Sequence, residues 1–202
     1  MSGPTLPLLP RLRRQGSDRS DRGASLIEGA IIAPVFFACL FMLIEGSFML
    51  RVDLTANHAV REAARVESVQ GNKSLTDQEA LAKLKASLVS LDTTKIKRIV
   101  VWKASGPGDK VPTACKTASQ TNLCNSFANA DALKVTAGCT STAGDRFWCP
   151  ANRKVALSAA RGGPPDYVGV WVRYEHHTLT GLFARTVTVE AAAIVRIEPQ
   201  QR

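Results

Sequence analysis

The feature that most constrains this chain is an uninterrupted apolar run near its start. Residues 29–44 are 16 consecutive positions without a charge, and residues 46–50 continue the run beyond Glu45. As a helix, residues 24–50 would be about 40 Å long at 1.5 Å per residue. A bilayer core needs about 20 apolar residues, so the segment is long enough to span one. Ahead of it lies a basic head. Residues 1–23 hold five arginines (Arg11, Arg13, Arg14, Arg19, Arg22) against Asp18 and Asp21, a balance of +3. Positive charge before the run and little just after it predict a cytoplasmic N-terminus, with the remainder outside the cytoplasmic membrane.

Composition refines this division. The full chain of 202 residues is 45% hydrophobic and 21% charged, which excludes a disordered or collagen-like polypeptide. The formal net charge of +9 falls to +6 once the head is set aside, so part of the basicity belongs to targeting. The rest is not gathered into a basic patch interleaved with aromatics, and no nucleic-acid partner is expected.

Three readings of the apolar segment compete. A cleaved secretory signal would have a shorter core ending at a small-residue site, and Leu43-Ile44-Glu45-Gly46 is a poor one. A plain signal anchor fits the length but leaves Glu28 unexplained, because a carboxylate in a spanning helix is costly. The third reading takes Gly23-Ala24-Ser25-Leu26-Ile27-Glu28 as a unit. A basic leader ends in Gly, Glu follows five residues later, and the apolar run continues past it. This resembles the type IV prepilin signature, cut after Gly by a prepilin peptidase. The resemblance makes Gly23 and Ala24 the processing site and Glu28 the assembly residue. The physical logic is sound, since a new α-amino group is mostly cationic at neutral pH and a neighbouring subunit's carboxylate can neutralise it. A carboxylate in the first helical turns also suits the helix dipole.

The likeness extends further. Pro34 follows Glu28 by six residues, Leu43-Ile44-Glu45-Gly46 closes the run, and His58-Ala59-Val60-Arg61-Glu62-Ala63-Ala64-Arg65 ends the helix. This order resembles the TadE-like family, minor pseudopilins of the Flp/Tad pilus system, over residues 20–67, and returns faintly at Arg196-Ile197-Glu198-Pro199. Gly29 stands where the family usually has an aromatic residue. The resemblance implies a pilin-like α+β fold, a long N-terminal helix on a small antiparallel sheet. It implies other pilins or pseudopilins, the prepilin peptidase and a membrane assembly platform as partners, with no cofactor. The alternative is an uncleaved, membrane-anchored extracytoplasmic binding module.

The expected organisation is a leader (residues 1–23), a transmembrane and assembly helix (24–50), an extramembrane continuation (51–70) and an extracytoplasmic α+β domain (71–202). Pro34 would kink a soluble helix, but neighbours compensate for it in a membrane. Cys39 in the apolar run reads as a small buried hydrophobe rather than a reactive thiol. Val52, Ala56, Ala59, Ala63 and Val66 recur every three or four residues, a narrow stripe suited to the protein's own sheet or to a neighbouring helix. Arg61, Glu62, Arg65 and His58 read as a solvated face.

After a break at Gly71-Asn72, Thr76-Asp77-Gln78-Glu79 has the form of a capping box. Leu81, Leu84, Leu88 and Leu91 then predict an amphipathic helix over residues 77–91. A β-branched run predicts a strand over residues 95–103. Residues 104–131 read as loop, 133–136 and 154–159 as short strands, and 162–165 as a turn. Alternation predicts two antiparallel neighbours, from Val168 to Tyr174 and from Thr186 to Ile197. The connector Leu179-Thr180-Gly181-Leu182-Phe183 is expected to cover the core edge, with membrane or partner contact as its rival.

Cys115, Cys124, Cys139 and Cys149 fall in the loop-rich region, outside the cytoplasm on this topology, so disulfides are expected. Three connectivities are possible, and Cys115–Cys124 with Cys139–Cys149 closes two short loops, read as stapled displays. Gaps of 8, 14 and 9 residues without a C-x₂-C pair argue against zinc. His176 and His177 are adjacent on a strand and point to opposite faces, which does not suit a shared metal. No G-x-S-x-G, H-E-x-x-H or phosphate-loop pattern occurs, so no enzymatic activity is expected.

Overall fold

The computed structural model describes residues 18–128, 138–181 and 184–199, with side chains described from residue 23 onward. The elements are α1 (Asp18–Gln70), α2 (Thr76–Ser87), β1 (Ile96–Ala104), β2 (Cys124–Ala128), β3 (Tyr167–His177) and β4 (Thr186–Arg196). The protein is therefore α+β. The chain divides into two compact units, Met1–Ile44 and Glu45–Arg202.

In the first unit α1 runs helical through Pro34. Its apolar side chains, among them Ile27, Ile31, Phe36 and Leu43, are exposed. A helix that is apolar on every side and exposed calls for lipid or other helices around it. Cys39 is free and exposed on this helix.

The second unit is built on a sheet of order β2-β1-β3-β4, antiparallel throughout. β3 and β4 pair over their full length, from Tyr167 opposite Arg196 to His177 opposite Thr186. The stripe on α1 lies against the protein's own sheet. Val52, Ala56, Ala59, Val60, Ala63 and Ala64 are buried in one cluster with Ile99, Val101, Val168, Val170 and Val172. Small residues let the helix backbone approach the sheet closely, and α2 closes the same core with Leu81, Leu84 and Leu88. α1 ends at Gly71, whose φ of 64° is the left-handed conformation favoured by glycine, with its N–H on the Glu67 carbonyl at 3.2 Å.

The opposite sheet face is also covered. Val100, Trp102, Ala104 and Trp171 form a second cluster with Cys115 and Cys124. Gly169 is the residue that makes room for it. A Cβ there would lie 2.3 Å from the Trp102 ring, so only glycine lets the indole lie flat on β3.

Four expectations are corrected. β2 lies inside the segment read as loop; its residues Cys-Asn-Ser-Phe-Ala show little apolar alternation, and pairing with β1 makes the strand. Residues 154–159 form no strand. Lys154 and Asp166 hold each other through backbone N–H groups, and a 3₁₀ turn follows at Ala159–Arg161. α2 stops at Ser87, four residues short of the expected end, although Leu88 stays buried as its C-cap. Thr76 is not an N-cap: its hydroxyl donates to the Lys73 carbonyl, while Glu79 accepts from Gln70 Nε2. The short strand expected at residues 133–136 lies outside the described residues.

Candidate functional site

The sequence placed its functional residues at the start of α1. Gly23, Ala24 and Glu28 all lie within the helix and are exposed. Ala24 and Glu28 are four residues apart, one turn along the same face. Nothing comes within 4 Å of where a Cβ would sit on Gly23, Gly29 or Gly46. Glycine in a helix interior costs about 1 kcal/mol relative to alanine, and packing among the described residues requires it at none of these positions. Among the described residues Glu28 makes no ion pair with another side chain.

At the other end of the apolar run stands a residue that sequence reasoning treated only as an interruption. Glu45 is 8% exposed. Its carboxylate accepts from the backbone N–H of Leu179 at 2.9 and 3.2 Å and of Thr180 at 3.3 Å. His176 Nε2 lies 3.6 Å away, in ion-pair range only if the ring is protonated. The first residue of the second unit thus grips the β3–β4 connector. Gly181, with φ of 64°, turns that connector, and Thr178 closes it through the carbonyls of Arg185 and Ala184. Leu179 does not cover the core edge as expected. Its backbone is tied to Glu45 while its side chain is 69% exposed. Leu182 and Phe183 lie outside the described residues.

A second constellation was not foreseen. Arg153 is buried and reaches Glu67 on α1 and Asp77 on α2, each at 2.5 Å. Asn125 on β2 donates to Asp77 at 2.8 Å and to the Trp148 carbonyl at 2.9 Å, and accepts from the Trp148 N–H at 2.9 Å. The guanidinium also lies 4.1 Å from the Trp148 ring. Two carboxylates share one guanidinium in a dry interior. Burial, then the charge of Asp77, push the Glu67 pKa up to about 8, with Arg153 opposing. This cluster ties together α1, α2, β2 and the segment after Cys139, so it is architecture. The sequence signal for it was faint: Asp77 looked like helix-capping charge, and Arg153 sits in an irregular stretch.

Cys115 is joined to Cys124, and Cys139 to Cys149. The first bridge is fully buried under the sheet, and Cys149 sits next to the Arg153 cluster. The first bridge fastens core segments, while the second closes a loop in which residues 140–142 are exposed. Among the described residues no group of three or more His, Cys, Asp or Glu is placed to hold a metal ion.

The fold is α+β, and among the described residues one helix, α1, is long and apolar enough to cross a membrane by length and composition. Residues 23–65 of that helix match the family model of TadE-like proteins. The match begins at Gly23 and takes in Glu28, Glu45 and the Ala-x-Arg-Glu-Ala-Ala-Arg stretch. The chain matches no curated protein and no solved structure.

Proposed function

We propose that this chain is a TadE-like minor pseudopilin, made as a membrane precursor and cut after Gly23 by a prepilin peptidase. It takes part in assembling a Flp/Tad-type pilus. The observation that carries the reading is a coincidence of positions. The family match starts at the Gly of Gly23-x₄-Glu28, on a helix whose large apolar side chains, such as Ile27, Ile31 and Phe36, are exposed. A glycine that packing does not require, and an exposed carboxylate one turn into the new helix, are what cleavage and subunit pairing need. Glu28 of one subunit neutralises the Ala24 amine of its neighbour, so both charges are tolerated when the helices pack together. Residues 24–50 serve first as anchor and then as packing helix, with the N-terminus in the cytoplasm and the α+β domain outside. The partners are other pilins or pseudopilins, the peptidase and the assembly platform. No enzymatic step, cofactor or nucleic acid is part of the reading.

The test is the N-terminus of the membrane-extracted protein, by intact mass and N-terminal peptide mapping, with and without the peptidase. A peptidase-dependent start at Ala24 is expected. A chain left uncut by a peptidase that processes a control prepilin would refute the reading, and a tethered binding module would then be the better account.

A further inference from the structure

We infer that the β3–β4 connector at Leu179 and Thr180 is a second membrane contact that rests in the interfacial layer of the bilayer and is fixed there by Glu45. The inference rests on the reading of α1 as a membrane span, and concerns a surface which that reading leaves unassigned.

Glu28 and Glu45 bracket the uncharged run, 17 residues apart. At 1.5 Å per residue that is about 25 Å, close to the thickness of a hydrocarbon core. Glu45 therefore sits where the apolar run ends, at the outer boundary of the lipid. A carboxylate at that depth needs donors, and this one takes them from the backbone of Leu179 and Thr180. The same bonds fix the depth of the connector, which stands level with Glu45.

What the connector offers at that level suits lipid. The Leu179 side chain projects 69% exposed from a backbone that is itself satisfied. On α1 just beyond Glu45, Phe48, Leu50 and Leu54 are also exposed, continuing the apolar surface past the boundary. Arg51 and Arg185 are exposed as well, and Arg185 belongs to the connector itself. Apolar side chains with flanking cations are the composition that binds a headgroup–acyl boundary containing anionic lipid. The occupant is the bilayer, because the surface is continuous along the chain with the segment that spans it.

The test uses the full chain in phosphatidylcholine–phosphatidylglycerol vesicles whose acyl chains carry bromine, either near the headgroup or near the chain end. Bromine quenches only indoles it can touch. The native Trp102, Trp148 and Trp171 are 0–5% exposed inside the body and give a constant background. Leu179→Trp adds a reporter on the connector, and Phe36→Trp adds one midway along the run. The expected result is that the Leu179→Trp emission is lost more to shallow bromine than to deep, with Phe36→Trp showing the reverse order. Adding Glu45→Ala to Leu179→Trp is expected to reduce that quenching. Quenching of Phe36→Trp without quenching of Leu179→Trp overturns the inference and leaves the span standing. No quenching at either position overturns the span and the inference with it. Quenching of Leu179→Trp that is unchanged by Glu45→Ala overturns the role given to Glu45.

Discussion

The buried Glu67 makes the stability of the body depend on pH, in a direction opposite to that of an ordinary paired carboxylate. Its pKa rises from 4.5 to about 8 on folding, chiefly through burial. The folded state thus holds a proton that the unfolded chain releases between these values. The contribution of Glu67 to stability is full below pH 4.5, falls as pH rises through the window, and levels off above pH 8. The shift of about 3.5 units corresponds to about 5 kcal/mol across the window. Because Glu67 is fully buried, solvent screening takes little from that figure. The groups that face it are Asp77 on α2, which raises the pKa, and Arg153, which lowers it. Glu67→Gln keeps the shape and an acceptor for Arg153 while removing the titration. The assay is urea unfolding of the full chain in detergent micelles from pH 5 to pH 9, followed by tryptophan fluorescence, to which Trp148 against Arg153 contributes. Subtracting the two profiles cancels every group that titrates alike in both proteins. Wild type is expected to lose stability relative to Glu67→Gln as pH rises, with the difference complete just above pH 8. Parallel profiles, or a wild type gaining on the variant, would refute the reasoning.

Two further outcomes follow from packing and covalent structure. Gly169→Ala drives a methyl group into the Trp102 ring, 2.3 Å from its ideal Cβ position. Overpacking of this kind costs about 1–3 kcal/mol, read as a lower urea midpoint with altered near-ultraviolet dichroism from the displaced indole. An unchanged midpoint would mean that β3 and the ring do not meet as described. Replacing Cys115 and Cys124 together by Ser opens a loop of sequence separation 9 and exposes a buried contact with Trp171. The loop-entropy cost alone is about 2–3 kcal/mol, and calorimetry of the oxidised protein against the double variant measures it.

Some parts of the fold were legible because their signal is local. The period-two recurrence of Val168, Val170 and Val172 marked β3, since alternate residues of a strand share one face, although the face between them is buried as well. The spacing of Leu81, Leu84 and Leu88 marked α2 for the corresponding helical reason. The stripe on α1 was visible, but its destination was not. Small residues permit close approach to either a sheet or a neighbouring helix, and the choice of the protein's own sheet is made by β1 and β3. Local logic failed where distant groups outbid it. Thr76-Asp77-Gln78-Glu79 has the form of a cap, yet Asp77 faces inward because Arg153, 76 residues away, needs a carboxylate there. β2 has little strand pattern of its own and exists through its partner β1.

The candidate site divides in the same way. Gly23, Ala24 and Glu28 could be read directly because their meaning depends on order along the chain: basic head, glycine, carboxylate, apolar run. Tertiary structure contributes little there beyond setting Ala24 and Glu28 one helical turn apart. Glu45 is the opposite case. In sequence it is one charge ending an apolar run, and its role is created by two backbone N–H groups more than 130 positions later. Hydropathy and charge order act over short stretches, so the sequence by itself determined the long apolar helix and the order of basic head, glycine and carboxylate on which the proposed anchor and processing motif rest. Buried charge must find partners wherever the fold brings them. Only the tertiary structure could therefore decide that Glu45 holds the β3–β4 connector and that Arg153 joins both helices.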